Sequence, residues 1–399
     1  MTVLNPADGA PLESPEIVPQ AVDQSSRLAL VLTGGGARAA YQVGFLRCLA
    51  RHAPETRIPI VTGVSAGAIN AAELASHPGT LTEAVDELSE LWSGLTPDRI
   101  FKVGAPSLVK SFLRWGLRLV SGGAAAAPRA KAILDSSPLG VLLHRALGST
   151  DGSIPGIGAN LASGRLRAFA LTTLNYNTAQ TVTWVQGRDI DGWQRPSRVG
   201  VEAEIRVEHI LASSALPLLF PAVRLGPHWF GDGGIRLSAP LAPAIHLGAD
   251  RILAICTRYK QSRAEANEPT VVGYPPPAQV AGIMLNSVFL DNVDQDAARL
   301  RRVNRLLEQI APEHRGHLKP IRLTILRPSQ DLGRLAGQFE PDLPPAFRFA
   351  TRGLGTRETS SPDFLSLLMF QPDYLKRLIE IGEADAEAKI DEIRRLVEA

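Results

Sequence analysis

Cysteine is nearly absent from the 399-residue sequence, which contains only Cys48 and Cys256. Two cysteines cannot build a disulfide framework, and no Cys/His cluster has the spacing of a zinc motif. We therefore expect buried free thiols, a reducing compartment and no structural metal. The net charge of +2 is also small. It argues against a dedicated nucleic-acid-binding protein, because such proteins carry a strong basic excess.

Long apolar runs and a basic N-terminus are missing as well. No stretch of about 18 apolar residues occurs, so we expect no transmembrane helix. Residues 1–26 contain four acidic residues, four prolines and no basic residue. A signal peptide, by contrast, starts with basic residues and continues with an apolar run. The composition of this segment predicts a disordered acidic tail and a cytoplasmic protein.

Short apolar segments that are typical of buried strands alternate with segments of helical periodicity. The predicted strands cover residues 27–33, 58–62, 167–174, 181–185, 251–256 and 321–326. Because this alternation is the pattern of strand–helix–strand units, it predicts a mostly parallel sheet with helices on both faces.

The sequence Gly63-Val64-Ser65-Ala66-Gly67 lies between a predicted strand and a predicted helix. A G-x-S-x-G motif in this context indicates a nucleophile elbow, a tight turn that needs small residues around its central serine. Gly63 and Gly67 meet this need, and the N-terminus of the following helix favours an anion beside the serine. We predict that Ser65 is a catalytic nucleophile. The alternative is a glycine-rich turn with an inert serine.

A second glycine-rich turn, Thr33-Gly34-Gly35-Gly36-Ala37-Arg38, also joins a strand to a helix. Consecutive glycines expose neighbouring backbone N–H groups, which can surround an anion. A phosphate site is disfavoured, because the Lys-Ser/Thr pair of a P-loop and the full dinucleotide fingerprint are both absent. We predict instead an oxyanion hole for a tetrahedral intermediate, with a simple tight turn as the alternative.

The third motif, Gly231-Asp232-Gly233-Gly234, surrounds one carboxylate with glycines. A nucleophilic serine needs a general base. None of the eight histidines lies in a glycine-rich turn that would present it at the edge of the sheet; they are His52, His77, His144, His209, His228, His246, His314 and His317. A Ser–Asp dyad is therefore one interpretation. A Ser-Asp-His triad that uses His246 or His314 is another.

Taken together and in this order, the three motifs resemble those of the patatin-like phospholipases. The resemblance covers roughly residues 27–258 and matches Ser65 to the family's nucleophile and Asp232 to its general base. It also matches the oxyanion loop, the basic residue after it and the glycines after the aspartate to Gly34, Gly35, Gly36, Ala37, Arg38, Gly233 and Gly234. The segment 212–217 resembles the stretch that shortly precedes the family's catalytic aspartate. Ala39 departs from the family, which often has glycine there.

The resemblance implies a three-layer α/β/α sandwich and hydrolysis of lipid acyl esters, of the phospholipase A or lysophospholipase type, without a metal or an organic cofactor. The substrate would be a phospholipid or a lysophospholipid. The catalytic core would cover residues 27–258, with a helical insertion at about 99–147. An extension over 259–399 would complete the α/β domain and end in a helix. A non-catalytic lipid-binding module with the same fold is an alternative.

Residues 99–134 contain seven Lys or Arg and no acidic residue. Within them, Lys110, Arg114 and Arg118 recur every four residues and share one helical face, whereas Phe112 and Trp115 lie on another. A basic face opposite an aromatic face predicts an interfacial helix, and thus a peripheral contact with a membrane surface. The alternative is a surface helix whose apolar face packs on the core.

Overall fold

The computed structural model describes residues 27–102, 132–188, 190, 192–271, 273–289 and 292–398. The tail predicted for residues 1–26 lies outside this part of the chain. In chain order, the strands are β1 Leu28–Leu32, β2 Ile60–Val64, β3 Ala168–Asn175, β4 Thr181–Gly187, β5 Gln194–Arg195, β6 Arg198–Glu202, β7 Val223–Leu225, β8 His228–Asp232, β9 Arg251–Ile255 and β10 Arg322–Leu326.

These strands form one mixed sheet. Neighbouring strands follow the order β10-β9-β1-β2-β3-β4-β6-β5, and β8 pairs with both β3 and β7. The strands from β10 to β3 are mutually parallel, whereas β4 and β8 run antiparallel to β3. The carboxyl ends of the parallel strands therefore meet at one edge, where ligand sites of open α/β sheets lie. Asp232, the last residue of β8, pairs with Thr173 near the carboxyl end of β3.

Helices cover both faces of the sheet. They are α1 Ala40–His52, α2 Ala66–Ser76, α3 Leu81–Ser93, α4 Pro97–Ile100, α5 Ser137–Ala146, α6 Pro155–Ser163, α7 Val207–Ser213, α8 Ala242–His246, α9 Arg263–Ala266, α10 Pro277–Phe289, α11 Asn292–Glu308, α12 Leu332–Phe339, α13 Pro345–Gly353, α14 Asp363–Leu368, α15 Pro372–Glu387 and α16 Ile390–Val397. Alternate residues of β1 point to different layers: Leu28, Leu30 and Leu32 enter a large core, whereas Ala29 and Val31 enter a smaller one. Side chains of α1, α2, α3 and α15 belong to the large core, and those of α8 and α11 belong to the smaller one.

The architecture confirms the predicted three-layer α/β/α fold with a mostly parallel central sheet. Each of the six predicted strands is present, with ends within two residues of the prediction. Strands β5 to β8 were not predicted. They contain between two and five residues and pair in part antiparallel. Each contains at most two apolar residues, too few to show a strand periodicity, whereas each predicted strand contains at least three.

The C-terminal part of the chain packs closely on α1. A Cβ atom on Gly44 of α1 would lie 1.8 Å from the carbonyl oxygen of Ile379 in α15. A Cβ atom on Gly382 of α15 would lie 2.1 Å from the carbonyl oxygen of Tyr41. The two helices can therefore approach through their backbones only because both positions are glycine. Within the described ranges, no helix combines the length and the apolarity that crossing a bilayer requires.

Candidate active site

Ser65 occupies a strained turn between β2 and α2. Its φ of 57° and ψ of −135° lie in a region that residues with a side chain rarely adopt, and such strain concentrates at functional sites. The neighbouring glycines let other backbone pass close to the turn. A Cβ atom on Gly67 would lie 2.4 Å from the Thr33 carbonyl oxygen, and one on Gly63 would lie 2.6 Å from the Gly67 carbonyl oxygen. The turn thus has the geometry of a nucleophile elbow.

Two serines at the C-terminal end of α7 hold the backbone of this turn. The Ser65 N–H donates to Ser213 Oγ (3.0 Å), which in turn donates to the Thr172 carbonyl oxygen (2.7 Å). Ser214 Oγ donates to the Ser65 carbonyl oxygen (3.1 Å). In the sequence, only the resemblance to the family marks this segment. A Ser-Ser pair has no pattern that reveals a partner about 150 residues away.

Residues 34–38, which we call the glycine loop, pass directly beside Ser65. A Cβ atom on Gly34 would lie 2.9 Å from Ser65 Cβ, so no larger residue fits. Gly35 and Gly36 have φ values of 152° and 55°, which are accessible to glycine at little cost. Thr257, just after β9, fixes the loop because its Oγ1 donates to the Gly34 carbonyl oxygen (2.5 Å). The structure therefore brings two of the predicted motifs together.

A buried chain of side chains supports the start of the glycine loop. Gln42 Nε2 donates to the Thr33 carbonyl oxygen (2.8 Å), and Asn70 Nδ2 donates to Gln42 Oε1 (2.9 Å). Trp92 Nε1 donates to Asn70 Oδ1 (2.7 Å). Gln42 and Asn70 are fully buried, so their polar atoms need such partners. Sequence reasoning missed this network, because each member also fits an ordinary helix.

Asp232 ends β8 and is completely buried. Its Oδ1 accepts a hydrogen bond from the Gly234 N–H (2.9 Å), whereas Oδ2 has no hydrogen-bond partner in the described part of the chain. Burial raises the pKa of Asp232 from 3.8 to about 7 and outweighs the lowering by the Ser65 hydroxyl and the Gly234 N–H. The Ser65 hydroxyl thus lies close enough to Asp232 to lower its pKa, although Oδ2 accepts no hydrogen bond in the described part of the chain. Bonds between a nucleophile and its base are often loose until substrate binds.

The glycines around Asp232 are needed for close packing. A Cβ atom on Gly233 would lie 2.2 Å from the Thr172 carbonyl oxygen. A Cβ atom on Gly231 would lie 2.2 Å from the hydroxyl oxygen of Tyr176, whose ring covers this position. Burial, and after it the Asp232 charge, raises the pKa of Tyr176. Tyr176 is a further polar group at the site, and no sequence motif marks it.

The eight histidines all lie in the described part of the chain, and none forms a hydrogen bond with Ser65 or Asp232 there. His246 stacks on Trp193 with ring centroids 4.6 Å apart. His209 Nδ1 accepts a hydrogen bond from the Arg206 N–H (3.1 Å), and burial lowers the pKa of this histidine to about 4. His314 belongs to a short 3₁₀ turn at residues 312–314.

A narrow cavity opens beside Ser65 and Gly36. Its remaining walls are mainly aliphatic and aromatic: Ala66, Ile69, Leu91, Trp92, Leu95, Ile100, Leu139, Leu142, Ser214, Leu216, Phe220 and Phe370. Such a lining excludes water and can accommodate a hydrocarbon chain. Residues 103–131, which include the predicted membrane contacts Lys110, Phe112, Arg114, Trp115 and Arg118, lie outside the described residues.

A cluster of possible metal ligands lies elsewhere, between α1 and α15. Ligand atoms of Cys48, His52 and Glu387 lie within 4.8 Å of one another. Each already has a protein partner: the Cys48 thiol donates to Glu387 Oε2 (3.3 Å), and His52 Nε2 lies 2.9 Å from the same oxygen. The Arg51 guanidinium is 3.9 Å from that oxygen and would repel a cation. Hydrogen bonds among these three side chains therefore account for the cluster without a bound metal ion.

A strained serine, a glycine loop and a buried aspartate thus lie together at the edge of an α/β sheet, as the three sequence motifs predicted. Sequence comparison specifies the class of protein. The family profile described as "Patatin-like phospholipase" matches residues 30–245, more than half of the chain. The protein belongs to this family.

Solved structures resemble the chain more distantly. VipD from Legionella pneumophila is 14% identical, with a TM-score of 0.39, and the match covers 91% of this chain and 66% of VipD. Human GIVD cytosolic phospholipase A2 is 12% identical, with a TM-score of 0.39, and the match covers 93% of this chain and 60% of that protein. The chain thus spans less than two thirds of the length of either structure. No curated protein matches the sequence significantly.

Proposed function

We propose that the protein hydrolyses acyl esters of lipids, as a phospholipase A or lysophospholipase, through a dyad of Ser65 and Asp232. The observation that carries the proposal is the placement of a strained serine beside a buried carboxyl whose pKa is raised to about 7. A general base works best when its pKa lies near the operating pH.

The reaction would proceed in two steps. Asp232 takes the Ser65 proton while Oγ attacks the ester carbonyl, and the N–H groups of the glycine loop stabilise the negative oxygen of the tetrahedral intermediate. The intermediate then collapses, the bond to the leaving oxygen breaks, and protonated Asp232 gives its proton to that oxygen, so that a lysophospholipid or a glycerophosphate derivative leaves as the alcohol. In the second step water attacks the acyl-serine with Asp232 again as the base, the acyl–Oγ bond breaks, and Asp232 returns the proton to Ser65 Oγ as the fatty acid leaves. The chemistry requires no metal and no organic cofactor.

The cavity beside Ser65 supports a lipid acyl chain as the group transferred. Its walls include Trp92, Phe220 and Phe370 beside Ser65 and Gly36. An acyl chain in this cavity would place its ester carbonyl between Ser65 and the glycine loop. A phospholipid or a lysophospholipid meets this requirement.

Two other functions are less well supported. A Ser-Asp-His triad needs a histidine at Asp232 or Ser65, and His246 instead stacks on Trp193. A non-catalytic lipid-binding module would have no use for a strained serine or for a buried carboxyl, both of which cost stability. Labelling by a fluorophosphonate probe separates a module from an enzyme, and replacement of each histidine separates a triad from the dyad.

The test of the proposed function is incubation with phospholipids, lysophospholipids and neutral glycerides, followed by mass spectrometry of the products. We expect release of free fatty acid from at least one lipid class by the wild-type protein. A wild-type protein that releases no fatty acid and is not labelled by a fluorophosphonate would overturn the proposal.

Activity should depend on the protonation of Asp232. Since only the carboxylate can accept the Ser65 proton, kcat/KM for a soluble ester is expected to fall about tenfold per pH unit below about pH 7 and to level off above it. A pH series with a substrate that does not itself titrate measures this effect. Full activity maintained down to pH 5 would contradict Asp232 as a base with a raised pKa.

The membrane contact remains a prediction from the sequence. Each basic residue close to an anionic bilayer contributes about 1 kcal/mol, so Lys110, Arg114 and Arg118 together would contribute ~3 kcal/mol, or about a hundredfold in partitioning. Their combined change to Gln should weaken binding to anionic vesicles and leave hydrolysis of a soluble ester unchanged. Vesicle cosedimentation at low salt measures the effect.

A matched control for this change is the exposed set Arg299, Arg301 and Arg302 on α11. Its replacement by Gln removes the same charge from another surface and should weaken vesicle binding much less. Equal binding by the wild type and by the 110/114/118 variant would support an ordinary surface helix.

A further inference from the structure

The glycine loop is held by a segment that lies outside the family match at residues 30–245. Arg38, the last residue of the loop, is 3% exposed. Its Nε donates to Ser366 Oγ (2.7 Å), and its Nη2 forms an ion pair with the Asp363 carboxylate. Both partners belong to α14. The side chain that follows the predicted oxyanion hole is therefore engaged in the protein interior.

The backbone of α14 also touches the loop. A Cβ atom on Gly36 would lie 2.2 Å from the Leu367 carbonyl oxygen, so the loop backbone packs directly on this helix. Ser366 Oγ, while it accepts from Arg38, donates to the Asp363 carbonyl oxygen (2.7 Å), which fixes its orientation. Phe370, two residues beyond α14, lines the same cavity as Gly36 and Ser65. Segment 363–370 thus borders both the loop and the cavity.

From these contacts we propose that Asp363 and Ser366 are positioning residues for ester hydrolysis. Through Arg38 they fix the orientation of the N–H groups of the glycine loop. The inference rests on the Ser65–Asp232 dyad proposed above. Thr257 holds one side of the loop through Gly34 and Gly35, and α14 holds the other through Gly36 and Arg38. The loop is consequently fixed between two elements that are far apart in sequence.

The expected effect follows from the geometry that an oxyanion hole requires. Its donors must meet the oxygen as negative charge develops on it, and a displacement of about 1 Å can cost ~100-fold in rate. Loss of the Asp363 charge leaves the Arg38 guanidinium buried without its counter-ion, and such a group moves to regain polar contacts. Because Arg38 is part of the loop, this movement would shift the neighbouring N–H groups.

The test is steady-state kinetics of Asp363→Asn and Ser366→Ala with a soluble ester. We expect kcat to fall ~10–100-fold for Asp363→Asn, and less for Ser366→Ala, with KM unchanged. The affinity for a trifluoromethyl ketone, which forms a tetrahedral oxyanion on Ser65, should fall by the same factor as kcat, because both depend on interactions made in the transition state. Asp363→Glu, which keeps the charge, should recover most of the loss.

Glu340→Gln is the matched control. Glu340 lies in the same C-terminal region and is buried, and it accepts a hydrogen bond from Thr356 Oγ1 (2.7 Å). Its change should lower the melting temperature and leave kcat unchanged. If Asp363→Asn and Ser366→Ala lower only the melting temperature, with kcat and ketone affinity at the wild-type level, the positioning role is overturned.

Two further outcomes can be told apart, namely a variant that does not fold and a wild-type protein without activity. Should Asp363→Asn fail to fold, Ser366→Ala decides alone, because it removes only the hydrogen bonds of one hydroxyl and keeps the ion pair. A reduced kcat and ketone affinity in a folded Ser366→Ala protein supports the role, and wild-type values overturn it. A wild-type protein without esterase activity or probe labelling would instead overturn the dyad.

Discussion

Ser65→Ala is expected to lose ester hydrolysis and fluorophosphonate labelling and to keep the fold. Removal of the nucleophile from a serine hydrolase can cost ~10⁶-fold in kcat. Alanine has the same Cβ as serine, so it meets the same backbone strain at φ 57° and introduces no new clash. Turnover with a soluble ester, labelling by the probe and thermal unfolding measure the three parts of this result.

Ser76→Ala is the matched control for Ser65→Ala. Ser76 ends the same helix, α2, is also buried, and its Oγ donates to the Glu73 carbonyl oxygen (3.3 Å). This variant should retain both activity and labelling. A Ser65→Ala protein with wild-type turnover would place the nucleophile elsewhere.

Asp232→Asn is expected to lower kcat by ~100–10,000-fold, because asparagine keeps the shape of the side chain but cannot accept the Ser65 proton. Single His→Ala changes, including His246→Ala and His314→Ala, should stay near the wild-type rate. A folded histidine variant as inactive as Asp232→Asn would favour a triad.

The same substitution should stabilise the protein at alkaline pH. The pKa of Asp232 is about 7 in the folded protein and near 3.8 when unfolded, so the folded state favours the protonated carboxyl. The stability from this group is fully present below about pH 3.8 and is lost as the pH rises through 7. Asparagine, which never ionises, avoids this loss. We therefore expect Asp232→Asn to melt above the wild type at pH 8, with the difference shrinking towards pH 4.

A second buried acid, Glu73, does not affect the difference in melting temperature between Asp232→Asn and the wild type. Burial also raises the pKa of Glu73 to about 7. Glu73 is present in both proteins, so its effect cancels in the difference between their melting temperatures. A melting temperature of Asp232→Asn below that of the wild type at pH 8 would show that the ionised Asp232 carboxylate does not destabilise the folded protein.

The sheet was predictable because its central strands are buried on both faces. Such strands appear as continuous apolar runs, as in Leu28–Leu32 and in residues 252–255. Ser65 and Asp232 could be singled out for a related reason. Chains that pass within van der Waals contact need glycine, and both positions are flanked by it.

The remaining parts of the site depend on contacts that no local pattern encodes. Arg38 and Asp363 are 325 residues apart, and Ser65 and Ser213 are 148 residues apart. Residues 364–370 are mostly apolar, but nothing in them shows that the glycine loop is their partner. Periodicity shows which face of an element is buried; it does not show against which element that face packs.

The attachment of α14 to the glycine loop has a consequence for synthesis of the protein. The loop begins at residue 34, whereas the carboxylate and hydroxyl that engage Arg38 are added only at residues 363 and 366. A nascent chain can therefore contain Ser65 and Asp232 long before contacts with α14 fix the glycine loop. Contacts of such sequence separation carry a large loop-closure cost and slow folding. An unfinished chain on the ribosome thus lacks the contacts through which α14 fixes the glycine loop.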